Sequence, residues 1–207
     1  STKRRAWFLQ RMAELDDFLS RLPPPAYPFS IDSTLAARGR PLYAAHCAEC
    51  HDIGAPRTNK PVPVAEIGTD AERMNTWTQG AADEANRRVK EMAIDRPNMV
   101  KIEGYQSPPL DGLWLRAPYL HNGSVPTLRD LLEPASRRPA SFHRGYDVYD
   151  PKNVGFVSDV AREGSKTYFA FDTSLPGNGN FGHEGRAYGT ELGAADKDAL
   201  IEFLKTF

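Results

Sequence analysis

The 207-residue chain carries 26 Lys and Arg against 27 Asp and Glu, without the basic excess of a nucleic-acid binder. Its mean hydropathy is −0.54, and no apolar run approaches the ~20 residues that a bilayer crossing needs. A chain of this mass is expected to bury roughly 70% of its surface on folding, enough for a core without staples.

Residues 4–22 carry Phe8, Met12, Leu15, Leu19 and Leu22 at steps of four and three, one apolar helical stripe. Pro23-Pro24-Pro25 stops it and an extended stretch follows. Residues 1–29 are therefore expected to form a leading amphipathic helix and a Pro-rich linker. That helix either packs on its own domain or connects to a domain upstream. Residues 30–207 are expected to form one domain. A second helix is predicted from Ser33 or Thr34 up to Cys47, with Gly39, Leu42 and Tyr43 on its packing side.

Cys47-Ala48-Glu49-Cys50-His51 follows and contains both cysteines of the chain. CxxCH is the attachment signature of c-type haem. Two thiols on one helical turn reach the two vinyl groups of one porphyrin, and the next imidazole lies under the iron as proximal ligand. A disulfide would leave the histidine without a role. A thioredoxin-like pair needs a βαβ setting, and a zinc site needs more Cys or a His cluster. One covalent haem c on Cys47 and Cys50, with His51 on the iron, is the expectation. Such haem is attached outside the bacterial cytoplasm, so a periplasmic or otherwise exported protein is expected. The chain opens Ser1-Thr2-Lys3 without an initiator Met, so a missing leader carries no weight.

Beyond the motif, Thr69 or Asp70 is expected to cap a helix to about Ile94, with Gly80 its weak point. Residues 95–126 read as ordered loop. Thr127 is expected to cap a short helix through Leu132, stopped by Pro134. Residues 134–190 lack a period and suggest short strands and turns. Ala195 to Phe207 is predicted as an amphipathic helix, with Leu200, Phe203, Leu204 and Phe207 as its stripe and acidic residues in its first turn.

The far side of the iron decides function, because an iron with two protein ligands mostly moves electrons and an open one can do chemistry. Met99 lies in a loop-like Pro97-Asn98-Met99. His121 stands beside an Asn122-Gly123 turn. His183 is flanked by glycines, which let backbone come close to a flat ligand. Spacing alone leaves these three open, while Met12, Met74, Met92, His46 and His143 are weaker.

A helix before CxxCH and a terminal Phe-Leu helix resemble the crossed helices of class I cytochromes c. The expected fold is accordingly mainly α, a class I cytochrome c-like helical core around one haem c with long loops and a few short strands. LDGLWLRAPYLHNGSVPTLRDLL (110–132) resembles bacterial di-haem cytochrome c peroxidases, and more closely the related di-haem rubber oxygenases and their uncharacterised cytochrome relatives. GYDVYDPKNVGF (145–156), GNGNFGHEGRAYGTEL (177–192) and the 196–207 tail are similar to the closer group. The peroxidase methionine ligand falls on Ala135 here. In the oxygenase-like group a glycine-flanked C-terminal histidine is the far ligand, which implies His183. Those proteins carry two CxxCH motifs and this chain one, so a haem domain of a longer protein or a mono-haem relative is implied.

The function expected is electron transfer by a low-spin, bis-His haem c, with a redox protein or an upstream haem domain as partner. The competing reading is a peroxidase- or oxygenase-like haem with a labile sixth position and His121, Glu103 or Glu184 as acid–base group.

Overall fold

The computed structural model describes residues 2–207, with side chains from residue 4 onward. In chain order it contains α1 (Thr2–Arg21), α2 (Ser33–His46), α3 (Ala48–His51), β1 (Pro61–Pro63), α4 (Val64–Ile67), α5 (Glu72–Thr76), α6 (Gln79–Glu91) and β2 (Gly104–Gln106). There follow α7 (Leu128–Leu131), β3 (Ser141–Arg144), β4 (Tyr149–Asp150), β5 (Gly155–Phe156), β6 (Arg162–Glu163), β7 (Lys166–Thr167), β8 (Phe169–Asp172) and α8 (Ala194–Leu204).

Helix α1 forms over the stripe read in the sequence, braced by local pairs of Arg11 with Glu14 and Arg21 with Asp17. The stripe stays in solvent: Phe8 is 55%, Leu15 47% and Leu19 54% exposed. Packing of α1 on its own domain is therefore not what the chain does. The linker behind it is docked. Trp114 Nε1 donates to the Pro25 carbonyl, the Tyr27 hydroxyl donates to the Pro151 carbonyl, and Phe29 stacks on Tyr149.

Asp32 caps α2 by accepting from the Leu35 amide at 2.9 Å. A Cβ on Gly39 would collide with the Ala199 carbonyl of α8, so glycine is what lets the two helices cross with their backbones in contact. The Tyr43 ring lies 5.2 Å from Phe203 and 5.0 Å from Phe207. Around this crossing Leu110, Leu113, Val125, Leu128, Leu200 and Ile201 complete one buried cluster.

The helix expected from residue 69 or 70 to about 94 is two helices. The Thr78 hydroxyl accepts from the Ala81 amide and starts α6 afresh. The break thus falls at Trp77–Thr78, and Gly80 lies inside α6. Among the described residues, four antiparallel ribbons of two strands pair β1 with β2, β3 with β8, β4 with β5 and β6 with β7.

The mainly-α, class I cytochrome c-like core expected from the sequence is not met. Helix makes up 41% of the residues and strand 13%. Among the described residues, α3, α4, α5 and α7 are single turns of four or five residues. Apart from the crossing of α2 and α8, the core is closed by ribbons and ordered loop. The 17 prolines and 16 glycines explain this: proline lacks the amide that a helix or ladder uses, and ten glycines take positive φ. The exposed surface, 12,773 Å², also exceeds the ~9,600 Å² expected for this mass. A projecting α1 contributes to that excess.

Candidate haem site

The backbone of α2 delivers the attachment motif. The Cys47 amide donates to the Tyr43 carbonyl, and the Cys50 and His51 amides donate to the Cys47 carbonyl, so both sulfurs and the imidazole share one turn. Cys47 and Cys50 are not joined to each other in a disulfide. Burial, then the proximity of Cys50 and Asp52, pushes the Cys47 thiol up to about 12, and burial raises Cys50 also. Neither is poised as a thiolate for redox exchange or zinc at neutral pH. Among the described residues no group of three or more His, Cys, Asp or Glu side chains gathers as a metal cage.

His51 Nδ1 donates to the Pro108 carbonyl oxygen at 2.7 Å. That bond leaves Nε2 with its lone pair, the tautomer a metal ligand needs, and fixes the plane of the ring. Burial lowers the His51 pKa, with the Pro108 bond opposing it.

His183 faces His51. Their ring centroids are 6.4 Å apart and their planes differ by 52°. A metal–imidazole bond of about 2.0 Å and a ring radius of about 1.15 Å from aromatic bond lengths put two imidazoles on one metal at roughly 6.3 Å. The residues present therefore fit a haem iron held between two nitrogens.

His183 is set by its loop. It takes φ +47, a region histidine visits more often than most residues, and its amide donates to the Ile67 carbonyl at 2.7 Å. A Cβ on Gly182 would collide with the backbone of Gly68 and Thr69. The flanking glycine thus serves a close approach of chain to chain. The Tyr188 ring packs 4.7 Å from His183. His183 Nδ1 is buried with no hydrogen-bond partner. Burial, then the charges of His51 and Arg138, pull the imidazole down to about 4, which keeps it neutral at ordinary pH.

The other candidates are engaged elsewhere. Asn86 bonds the Met99 amide at 2.8 Å and its carbonyl at 2.7 Å, pinning that residue to α6. His121 stacks on Tyr105 at 3.8 Å, and its carbonyl accepts from Arg73. Its Nε2 is buried and unpartnered. Met12 and Met92 are about half exposed, and His143 sits in β3. Glu184 accepts from the Ala135 amide at 2.7 Å and the Gly182 amide at 3.3 Å. Glu103 has an exposed side chain beside Lys101.

Two groups that hold the rings escaped sequence reasoning. The Pro108 carbonyl carries no side-chain signal at all. Arg138 lies in Ser136-Arg137-Arg138-Pro139, where two adjacent arginines read as surface charge, yet it is 5% exposed.

Residues 104–143 match the model of a family described as RoxA-like, cytochrome c-like. Two uncharacterized proteins of Sinorhizobium fredii, y4iM and y4iJ, are similar over nearly the whole chain. The first is 35% identical over 92% of this chain and 52% of its own length, the second 32% identical over 89% and 41%. The chain spans about half the length of these curated relatives. The family match supports a cytochrome c-like domain related to the RoxA type, and with it haem binding. It does not extend to the specific features of the di-haem peroxidases. No helix among the described residues is long and apolar enough to cross a membrane.

Proposed function

We propose that the chain is an exported electron-transfer domain with one covalent haem c, held by Cys47 and Cys50 and gripped by His51 and His183. The observation that carries this reading is the 6.4 Å between the two imidazole centroids. When bound, haem c supplies a reversible one-electron ferric–ferrous couple.

The chain's own groups each have a part. The Pro108 carbonyl aims His51 Nε2, and burial keeps His183 in the neutral form that can donate a lone pair. Rigid imidazoles on both sides let the oxidation state change with little movement, and nitrogen in place of a thioether favours a lower potential. With formal net charge −1 the domain has little long-range steering. Its partner is a redox protein or a haem domain upstream, meeting it by short-range contact. A peroxidase- or oxygenase-like reaction would instead need a free acid–base group at an open iron. Glu184 is committed to two amides, Glu103 lies out in solvent, and the His121 ring is packed on Tyr105.

The test is to mature the full chain in a host that attaches haem c. A mass increased by one haem and a low-spin ferric spectrum without the methionine–iron charge-transfer band are expected. His183→Ala should turn the iron high-spin, with added imidazole restoring the low-spin form. An unchanged spectrum in that variant overturns the assignment.

A further inference from the structure

A buried arginine normally finds a carboxylate, and among the described residues none pairs with Arg138. Its neighbour Glu133 pairs with Lys197 at 2.9 Å and Arg137 at 3.7 Å instead. Every N–H of the Arg138 guanidinium goes to a main-chain carbonyl. Nε donates to Glu133 at 2.9 Å; Nη1 donates to Asn180 at 2.5 Å and Gly182 at 2.9 Å; Nη2 donates to Leu131 and His183 at 3.3 and 3.2 Å. Five donors in a rigid plane are thus all used, and three of them hold the loop that carries His183. The other two tie that loop to the end of α7. Buried carbonyls that lose such a donor cannot recover it from water.

We infer that Arg138 is a positioning residue for the far-side imidazole: its planar fork fixes the 180–183 backbone so that His183 stays opposite His51. The inference rests on the reading of His183 as an iron ligand. Charge is not the operative property, because the acceptors are neutral carbonyls in fixed directions. Lysine, with three donors on one point, cannot reproduce the pattern. A metal ligand whose supporting contacts are removed typically binds 10–100-fold more weakly. The ligand should then leave the iron more often.

The experiment compares four haem-loaded full-length variants: His183→Ala, Arg138→Gln, Arg138→Lys and Arg129→Gln. Arg129 pairs with Asp198 of α8 rather than with the 180–183 backbone and serves as a control for general destabilisation. Each is measured well below its melting midpoint, by ferric spin state and by the rate of cyanide binding. Cyanide must wait for His183 to leave, so the rate reads ligand departure directly. Arg138→Gln should bind cyanide about 10–100-fold faster than the parent. Arg138→Lys should fall between them, and Arg129→Gln should match the parent.

If His183→Ala stays low-spin, the ligand assignment fails and Arg138 has nothing to position. If His183→Ala turns high-spin but both Arg138 variants keep parental cyanide rates, the positioning role alone is overturned. It is overturned also if neither Arg138 variant accumulates as folded, haem-bearing protein, since Arg138 would then serve the fold as a whole.

Discussion

Helix α1 and the stretch from Gly177 to Thr190 reverse the usual relation between regularity and anchorage. The first has an unbroken period, and its ion pairs join residues three or four apart. Its apolar side chains remain about half exposed. The second has no period, yet its main chain is bonded to Ile67, Asp70, Asn122, Ser124 and Arg138. Periodicity reports what a segment can form from its own neighbours. Fixed position comes from partners far away in sequence, and His183 depends on the second kind of order.

The contrast can be broken most severely at Gly182. Alanine there meets the Gly68–Thr69 backbone and a φ of +78, so Gly182→Ala should cost about 3 kcal/mol in chemical unfolding. It should also raise the high-spin fraction of the haem-loaded protein. A variant with parental stability would mean that the loop is not anchored there. Next comes Gly39→Ala, which wedges α2 from α8 and should cost about 2 kcal/mol while leaving the spin state alone. Thr78→Ala removes the cap of α6 and should lower stability by about 1 kcal/mol. At the small end, Leu15→Ala with Leu19→Ala in α1 should change the unfolding free energy by no more than about 0.5 kcal/mol. A loss well above that would show α1 packed on the domain and would erase the contrast.

What the sequence announced divides along the same line. CxxCH was legible because its chemistry sits within five consecutive residues. The stripes of α1 and α8, and Gly39 on the packing side of α2, were legible because they repeat at the helical period. Thr78 was missed as a cap because one helix was read from Thr69 or Asp70 to about Ile94, with its weak point placed at Gly80. The fold class failed although each expected helix has a counterpart, because the Pro- and Gly-rich stretches between them fold into ribbons and loop instead of leaving a helical core. The mutual approach of His51 and His183 was not readable from spacing, which left Met99 and His121 equally open; a family likeness singled out His183. Pro108 and Arg138 act through carbonyl bonds spanning 57 and up to 45 residues. No local pattern encodes such bonds.

The segment matched by the family model, 104–143, contains the Pro108 carbonyl that grips one imidazole and the Arg138 fork that grips the loop of the other. One unbroken piece of chain therefore works like the frame of a calliper, with a ring seated at each jaw. Extra length in the β6–β7 ribbon or between α5 and α6 would leave the opening unaltered. A single residue gained or lost between Pro108 and Arg138 would reset it.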